Sequence, residues 1–145
     1  MAQQLGDPDA LGRIAANRDV LERIVAGAIR ARKPDAWNPG GWVMRTHPDM
    51  TELIEGAAPD DVRIVYGMTV LADPAGRIYA VGYGMSIIWL RVPSGPAYDD
   101  AVAGDEASAV EDLPGWVGVD GWRVDLASWV RASAALTRDL VAADA

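Results

Sequence analysis

The chain has 145 residues, half of them hydrophobic, with no cysteine, a single histidine and a net charge of −8. That length and apolar content point to one folded domain and exclude a disordered chain. The missing cysteines exclude disulfides, thiol catalysis and thiolate metal sites. The start MAQQLGDPDA has no basic n-region or apolar h-region, and no apolar run reaches the roughly 18 residues of a membrane span. Neither a secretory signal nor a spanning helix is expected, and the expected location is cytoplasmic.

The charge is unevenly spread. Residues 1–33 sum to +2 and residues 34–92 to −3, whereas residues 93–125, with one basic and eight acidic groups, carry −7. An acidic segment of this kind repels phosphate backbones and attracts basic proteins. Nucleic acid is therefore disfavoured as a partner and a basic protein favoured, while the lack of a spanning run disfavours a membrane. A homodimer stays open.

Asp7-Pro8 reads as a helix start, with Asp as the cap and Pro in the first turn. Leu11, Ile14, Leu21, Ile24, Val25 and Ala28 then form a helical stripe predicted to run to about Lys33. Arg18 and Asp19 interrupt it, and a division into two helices, the second capped by Asp19 with Glu22, is the alternative. Residues 34–60 are irregular, with a turn at Asn38-Pro39-Gly40-Gly41 and a short helix from Pro48 to Glu55. So long a stretch either packs as its own small unit or carries function.

From Val62 the apolar period changes to two. Val62, Ile64, Tyr66, Met68 and Val70 share one parity, which predicts a strand with a buried face. Asp73-Pro74-Ala75-Gly76 has the residue order of a type I turn. Two further strands, 77–82 and 85–92, are expected to meet at Tyr83-Gly84. Gly82 and Gly84 resemble a phosphate-binding loop, but the third position of that motif is Ile87 and β-forming residues follow in place of a helix. A pair of glycines within a strand pattern instead marks a bulge or reversal. Pro93-Ser94-Gly95-Pro96 stops the sheet, Tyr98–Glu111 reads as a helix, Trp116–Val119 as a strand, and Asp125 as the cap of a final helix bearing Leu126, Trp129, Val130, Ser133, Leu136 and Leu140. The expected fold is α+β: an antiparallel sheet of four to five strands with helices packed on one side, in the order α-β-β-β-α-β-α. Residues 1–145 form a single domain with an irregular insertion at 34–60.

Candidate chemistry is sparse. His47 could act as a general base oriented by Asp49, but no Gly-x-Ser-x-Gly elbow accompanies it, and a loop histidine beside a turn explains it as well. One histidine without cysteine does not make a zinc site. The acidic pairs Asp60-Asp61, Asp99-Asp100, Asp105-Glu106 and Glu111-Asp112 lack calcium-loop spacing. No cofactor, metal or catalytic set is expected. Trp37 and Trp42 flank the Gly-Gly turn, either as anchors for a partner or as a lid on the core. Trp89, Trp116 and Trp129 lie on patterned elements and are expected in the core, while Trp122 is undecided.

Tyr66-Gly67-Met68, Gly76-Arg77-Ile78-Tyr79, Trp89-Leu90-Arg91-Val92, Tyr98-Asp99-Asp100-Ala101-Val102-Ala103 and Gly115-Trp116-Val117-Gly118-Val119-Asp120, followed by the Leu126 helix with Trp129-Val130, give residues 62–142 a pattern that resembles the TfoX N-terminal domain and its YjbR-like relatives. The resemblance implies a compact α+β domain associated with regulation of bacterial competence, with no established catalytic residues. Two functions are expected from the sequence. The first is a small acidic binding or regulatory domain, in one form an inhibitor or immunity-type protein, contacting its partner through Trp37, Trp42, Arg45, His47 and Asp49 or through the acidic surface. The alternative is a small enzyme or small-molecule binder with a pocket near His47 and the sheet.

Overall fold

A computed structural model describes residues 5–33 and 38–140. Its centre is one antiparallel sheet of β1 (Val62–Val65), β2 (Met68–Ala72), β3 (Ile78–Tyr83), β4 (Ile87–Arg91), β5 (Ala107–Ala109) and β6 (Trp116–Asp120). These six strands lie side by side in the order β1-β2-β3-β4-β6-β5. Around them pack α1 (Pro8–Gly12), α2 (Arg18–Ala26), α3 (Pro48–Ala57), α4 (Pro96–Ala103) and α5 (Leu126–Asp139).

The α+β class and the antiparallel sheet agree with the sequence, and the strand count is six where four to five were expected. Both additional strands have a local cause. The period-two run from Val62 to Val70 is two strands, because Tyr66 and Gly67 both take left-handed backbone, with φ of 51° and 80°. Left-handed residues at both centre positions make the two-residue hairpin turn that matches strand twist. The helix expected over Tyr98–Glu111 stops at Ala103, ahead of Gly104, and residues 107–109 extend as an edge strand.

Both faces of the sheet are covered. Met50 and Ile54 of α3 and Leu126 and Val130 of α5 join Leu71, Tyr79, Ile88, Leu90 and Val117 in one core. One-sided packing of all the helices is the expectation, and only this face satisfies it. Leu11, Val20, Leu21 and Ile24 from α1 and α2 form a second core with Val65, Met68, Val70, Val81 and Trp116, whose side chains point to the opposite face. The difference from one-sided packing follows from alternation, since strands buried on both sides need apolar residues at both parities. β2 is buried at all five positions.

The N-terminal stripe also breaks where a single helix is predicted. Asn17 is fully buried, and its amide donates to the carbonyls of Leu11 and Gly76 while its Oδ1 accepts from the Ile78 amide. That side chain interrupts the helix with a 3-10 turn at Ala15–Asn17 and fastens it to the β2–β3 connection. Asn17, without a side-chain cap bond, begins α2, so the Asp19–Glu22 capping pair does not form. α2 ends at Ala26, well before Lys33. The chain then pairs in extended form with the insertion, through Ala31 N–H to Gly41 O and Val43 N–H to Ile29 O.

Candidate functional site

The structure assigns the residues singled out in the insertion mainly to fastening the ends of the sheet. Trp37 lies outside the described residues. Trp42 meets the ring of Tyr66 edge-on at 5.1 Å, and the Arg30 guanidinium lies over its indole at 4.4 Å. Its contacts thus clamp the β1–β2 turn to the chain after α2. Arg45 donates through Nη2 to the carbonyls of Ile24 and Tyr66, joining the end of α2 to the same turn. Burial lowers the Arg45 pKa from its ordinary value, and the nearby Tyr83 partly opposes the shift. His47 is the N-cap of α3: its Nδ1 accepts from the Asp49 amide at 3.1 Å. The Asp49 carboxylate stands 3.8 Å from the same nitrogen. An Nδ1 that accepts a backbone hydrogen bond is committed to a structural task and places the neutral ring's proton on Nε2.

These fastenings converge on the β3–β4 hairpin. Gly84, with φ of 65°, opens its turn; its amide donates to the Arg45 carbonyl and its carbonyl accepts from the His47 amide. Gly82 serves a different purpose. A Cβ there would lie 2.6 Å from Ile54 Cδ1 and 2.8 Å from Thr46 Cγ2, so the glycine admits α3 and Thr46 against the strand. Neither glycine precedes a helix, and the hairpin they shape is a β-structure with no phosphate cradle.

The hairpin holds out an apolar surface. Tyr83, Met85 and Ile87 are 50%, 66% and 39% exposed. Trp122, 54% exposed, reaches the turn from the other face of the sheet, where it lines a groove with Leu53 of α3 and Leu126 of α5. Tyr83 pairs with Ile87 across the hairpin and stacks on Trp89 with ring centres 5.4 Å apart and planes 17° apart. Trp122 is tied to the turn by its indole N–H, which donates to the Met85 carbonyl at 2.7 Å. Arg23 of α2 sits 5.6 Å above the Trp89 ring and donates to the Glu111 carbonyl. The Tyr83 and Trp122 rings are therefore held in place while their outer surfaces face solvent. Rigid aromatic groups of this kind lose little entropy when a partner covers them.

α2 reaches the β4–β6–β5 end of the sheet through Arg23, and Leu113 and Trp116 are buried there with its apolar residues. Beside Arg23, Ile87, Trp89 and Gly118 lie along an open concavity of about 410 Å³, with Glu106, Ser108 and Asp120 also on its lining. Most of the −7 segment, residues 93–125, belongs to this end, since it comprises α4, β5 and β6. Among the described residues no group of three or more histidines and carboxylates gathers as a metal site.

Of this surface, the sequence places Tyr83 at the junction of two strands and Met85 and Ile87 within the second, and marks none of them as a contact residue. The signal is the segment Met85 to Leu90, apolar except for Ser86, with hydrophobic residues at both parities. Such a run says that both faces are apolar without saying which end stays uncovered. Trp89 and Trp116 are buried as expected, Trp129 packs against the core from α5, and Trp122 is exposed. Among the described residues no helix is long and apolar enough to cross a membrane. Comparison with protein-family models, with curated proteins and with solved structures found no match, and the likeness of residues 62–142 to the TfoX N-terminal domain rests on the residues quoted for it.

Proposed function

We propose that the protein is a small acidic domain that acts by binding a basic protein partner, with the surface of Tyr83, Met85 and Ile87 as the centre of the contact. The observation that carries this reading is the fixed aromatic pair Tyr83–Trp89 at the open end of the sheet. Its setting matches what binding interfaces use: aromatic anchors at the centre and charge at the rim. The acidic rim adds steering toward a positively charged protein and makes the association sensitive to salt. An inhibitor or immunity-type role, neutralising such a partner in the cytoplasm, is one concrete form of this reading. A regulatory role of the kind implied by the TfoX resemblance is another.

A photo-crosslinking residue placed at Met85 tests the reading in the cells that make the protein. A discrete adduct with a basic protein is expected, and a residue at Glu55 on α3 serves as the control position. The purified pair should then lose at least about tenfold in affinity on combined Tyr83→Ala and Ile87→Asp substitution, and weaken further as salt rises. No adduct at Met85, or undiminished binding by the double variant, would overturn the proposal.

A further inference from the structure

A second apolar surface lies on the other face of the sheet. Leu53 and Ala57 of α3, with Val124 and Leu126 at the start of α5, floor an open groove of about 480 Å³, and Trp122 walls it. The floor residues belong to or pack against the core of this face, whereas Trp122 stands largely in solvent. The wall is fixed. The Trp122 indole N–H is committed to the Met85 carbonyl, its main-chain N–H donates to Asp120 Oδ1 at 2.9 Å, and the Gly121 amide donates to the Ser86 carbonyl at 2.8 Å. A ring so held has little freedom left to lose when another chain packs on it.

Gly56 of α3 also lines the groove, and no atom lies within 4 Å of a Cβ built there. Leu53, Gly56 and Ala57 follow the i, i+3, i+4 spacing of one helix face. The groove therefore runs along α3, with room for a second helix to lie close against it.

The charge at the groove is one-sided. Glu52 and Asp125 are the charged residues of its lining, and α3 adds Asp49 and Glu55 and has no basic residue. Hydrogen bonds from Ser128 hold the Asp125 carboxyl below the usual carboxylate range, so it is ionised at neutral pH. Arg123 and Arg131 turn instead to Asp120 and Ser128. Such a rim repels an anionic lipid surface, and a second copy of the chain would bring its own net charge of −8 against it. A helix with one apolar face and flanking lysines or arginines fits both the floor and the charge.

We infer that the groove receives an amphipathic basic helix of the partner, its apolar side chains between α3 and the start of α5 and its cations beside Glu52 and Asp125. This rests on the protein-binding reading above and adds a second contact to it. Trp122, tied to the Met85 turn, joins the groove to the Tyr83 surface, so one partner can engage both. Recognition of this kind reads apolar anchors at i, i+3, i+4 and i+7 of the bound helix.

The test uses the whole protein and labelled synthetic helices about 18 residues long, with leucine on one face and lysine or arginine on the other. The controls are a scrambled peptide, one with central prolines and one with glutamate in place of the basic residues. By fluorescence anisotropy the basic helix is expected to bind at least about tenfold more tightly than each control. Gly56→Leu fills the groove while raising the helix propensity of α3, and should weaken binding by about tenfold or more with no loss of thermal stability. Trp122→Ala, at an exposed position, should weaken it comparably. Equal binding of the basic helix and its controls would overturn the inference, as would binding unchanged by both variants. So would binding to anionic phospholipid vesicles, or self-association, that Gly56→Leu abolishes, because the groove would then have another occupant. If the cross-linked partner tolerates Gly56→Leu and Trp122→Ala but is lost on Tyr83→Ala with Ile87→Asp, the groove contact fails and the surface reading stands. If the groove variants alone weaken it, the groove carries the contact and the Tyr83 surface falls. If neither change matters, both fail.

Discussion

The hydroxyl of Thr46 donates to the Gly82 carbonyl at 2.8 Å and accepts from the Thr69 amide at 2.9 Å. It stands between β2 and β3 just past their last paired residues, Val70 and Val81. One side chain from the insertion thus replaces a rung of the ladder and holds the strand that leads to Tyr83. Thr46→Val keeps the shape but leaves a buried N–H and a buried C=O without partners, each worth about 1–3 kcal/mol. A loss of about 2–4 kcal/mol on urea denaturation is expected, with Thr46→Ser losing much less. A Thr46→Ser loss as large as that of Thr46→Val would show that the methyl group matters as much as the hydroxyl, against this account.

A second fastening lies at the β1–β2 turn. Gly67 has φ of 80°, and a Cβ added there would lie 2.0 Å from the Val43 carbonyl oxygen. Both the conformation and the contact with backbone oppose any side chain. Gly67→Ala is expected to destabilise by more than about 4 kcal/mol, the range of changes tied to a specific clash or strained backbone. Gly84→Ala, where φ is 65° but nothing lies within 4 Å, should cost only about 1 kcal/mol. Comparable denaturation midpoints for the two variants would contradict this account.

The sequence carried the sheet because alternation and turn residues are local signals. The Gly76 amide donates to the Asp73 carbonyl as a type I turn requires, and the Asp125 side chain accepts from Ser128 as a cap. The Tyr66–Gly67 reversal was hidden, since tyrosine rarely adopts left-handed backbone and fits the apolar parity of a continuous strand. Asn17 was hidden for another reason: its partners Gly76 and Ile78 are about sixty residues away, beyond any periodicity. The candidate surface was the least legible part. Its exposure depends on which parts of the sheet the helices and connections cover, a property of packing that Tyr83 and Ile87 do not carry in their own neighbourhood.

His47 has a structural role that can be separated from a chemical one. Its Nδ1 caps α3 by accepting from the Asp49 amide. His47→Ala should cost about 1 kcal/mol, and His47→Asn, whose side-chain oxygen can accept the same bond, should restore most of it. Partner binding should change by less than about twofold in either variant. A folded His47→Asn protein that has lost binding would mean that the imidazole itself is needed.

Tyr79 links stability to pH. It occupies a bulged position on β3, where Leu71 pairs with Ala80 and Ala72 with Ile78, and its hydroxyl donates to Asp61 Oδ2 at 2.6 Å. Burial first, then the hydrogen bond to Asp61 and the charges of Asp61 and Asp73, raise the phenol pKa far above its ordinary value. The folded protein therefore keeps a proton that the unfolded chain releases above about pH 10. The stabilisation is complete below that pH and drains away as pH rises beyond it. Tyr79→Phe removes the hydrogen bond at a cost of about 1–3 kcal/mol near neutral pH. It also removes the titrating group, so the variant should lose less stability than the parent between about pH 9.5 and 11.5. Urea denaturation of both proteins across that range reads the difference, and parallel curves would show that Tyr79 ionises as readily in the fold as outside it.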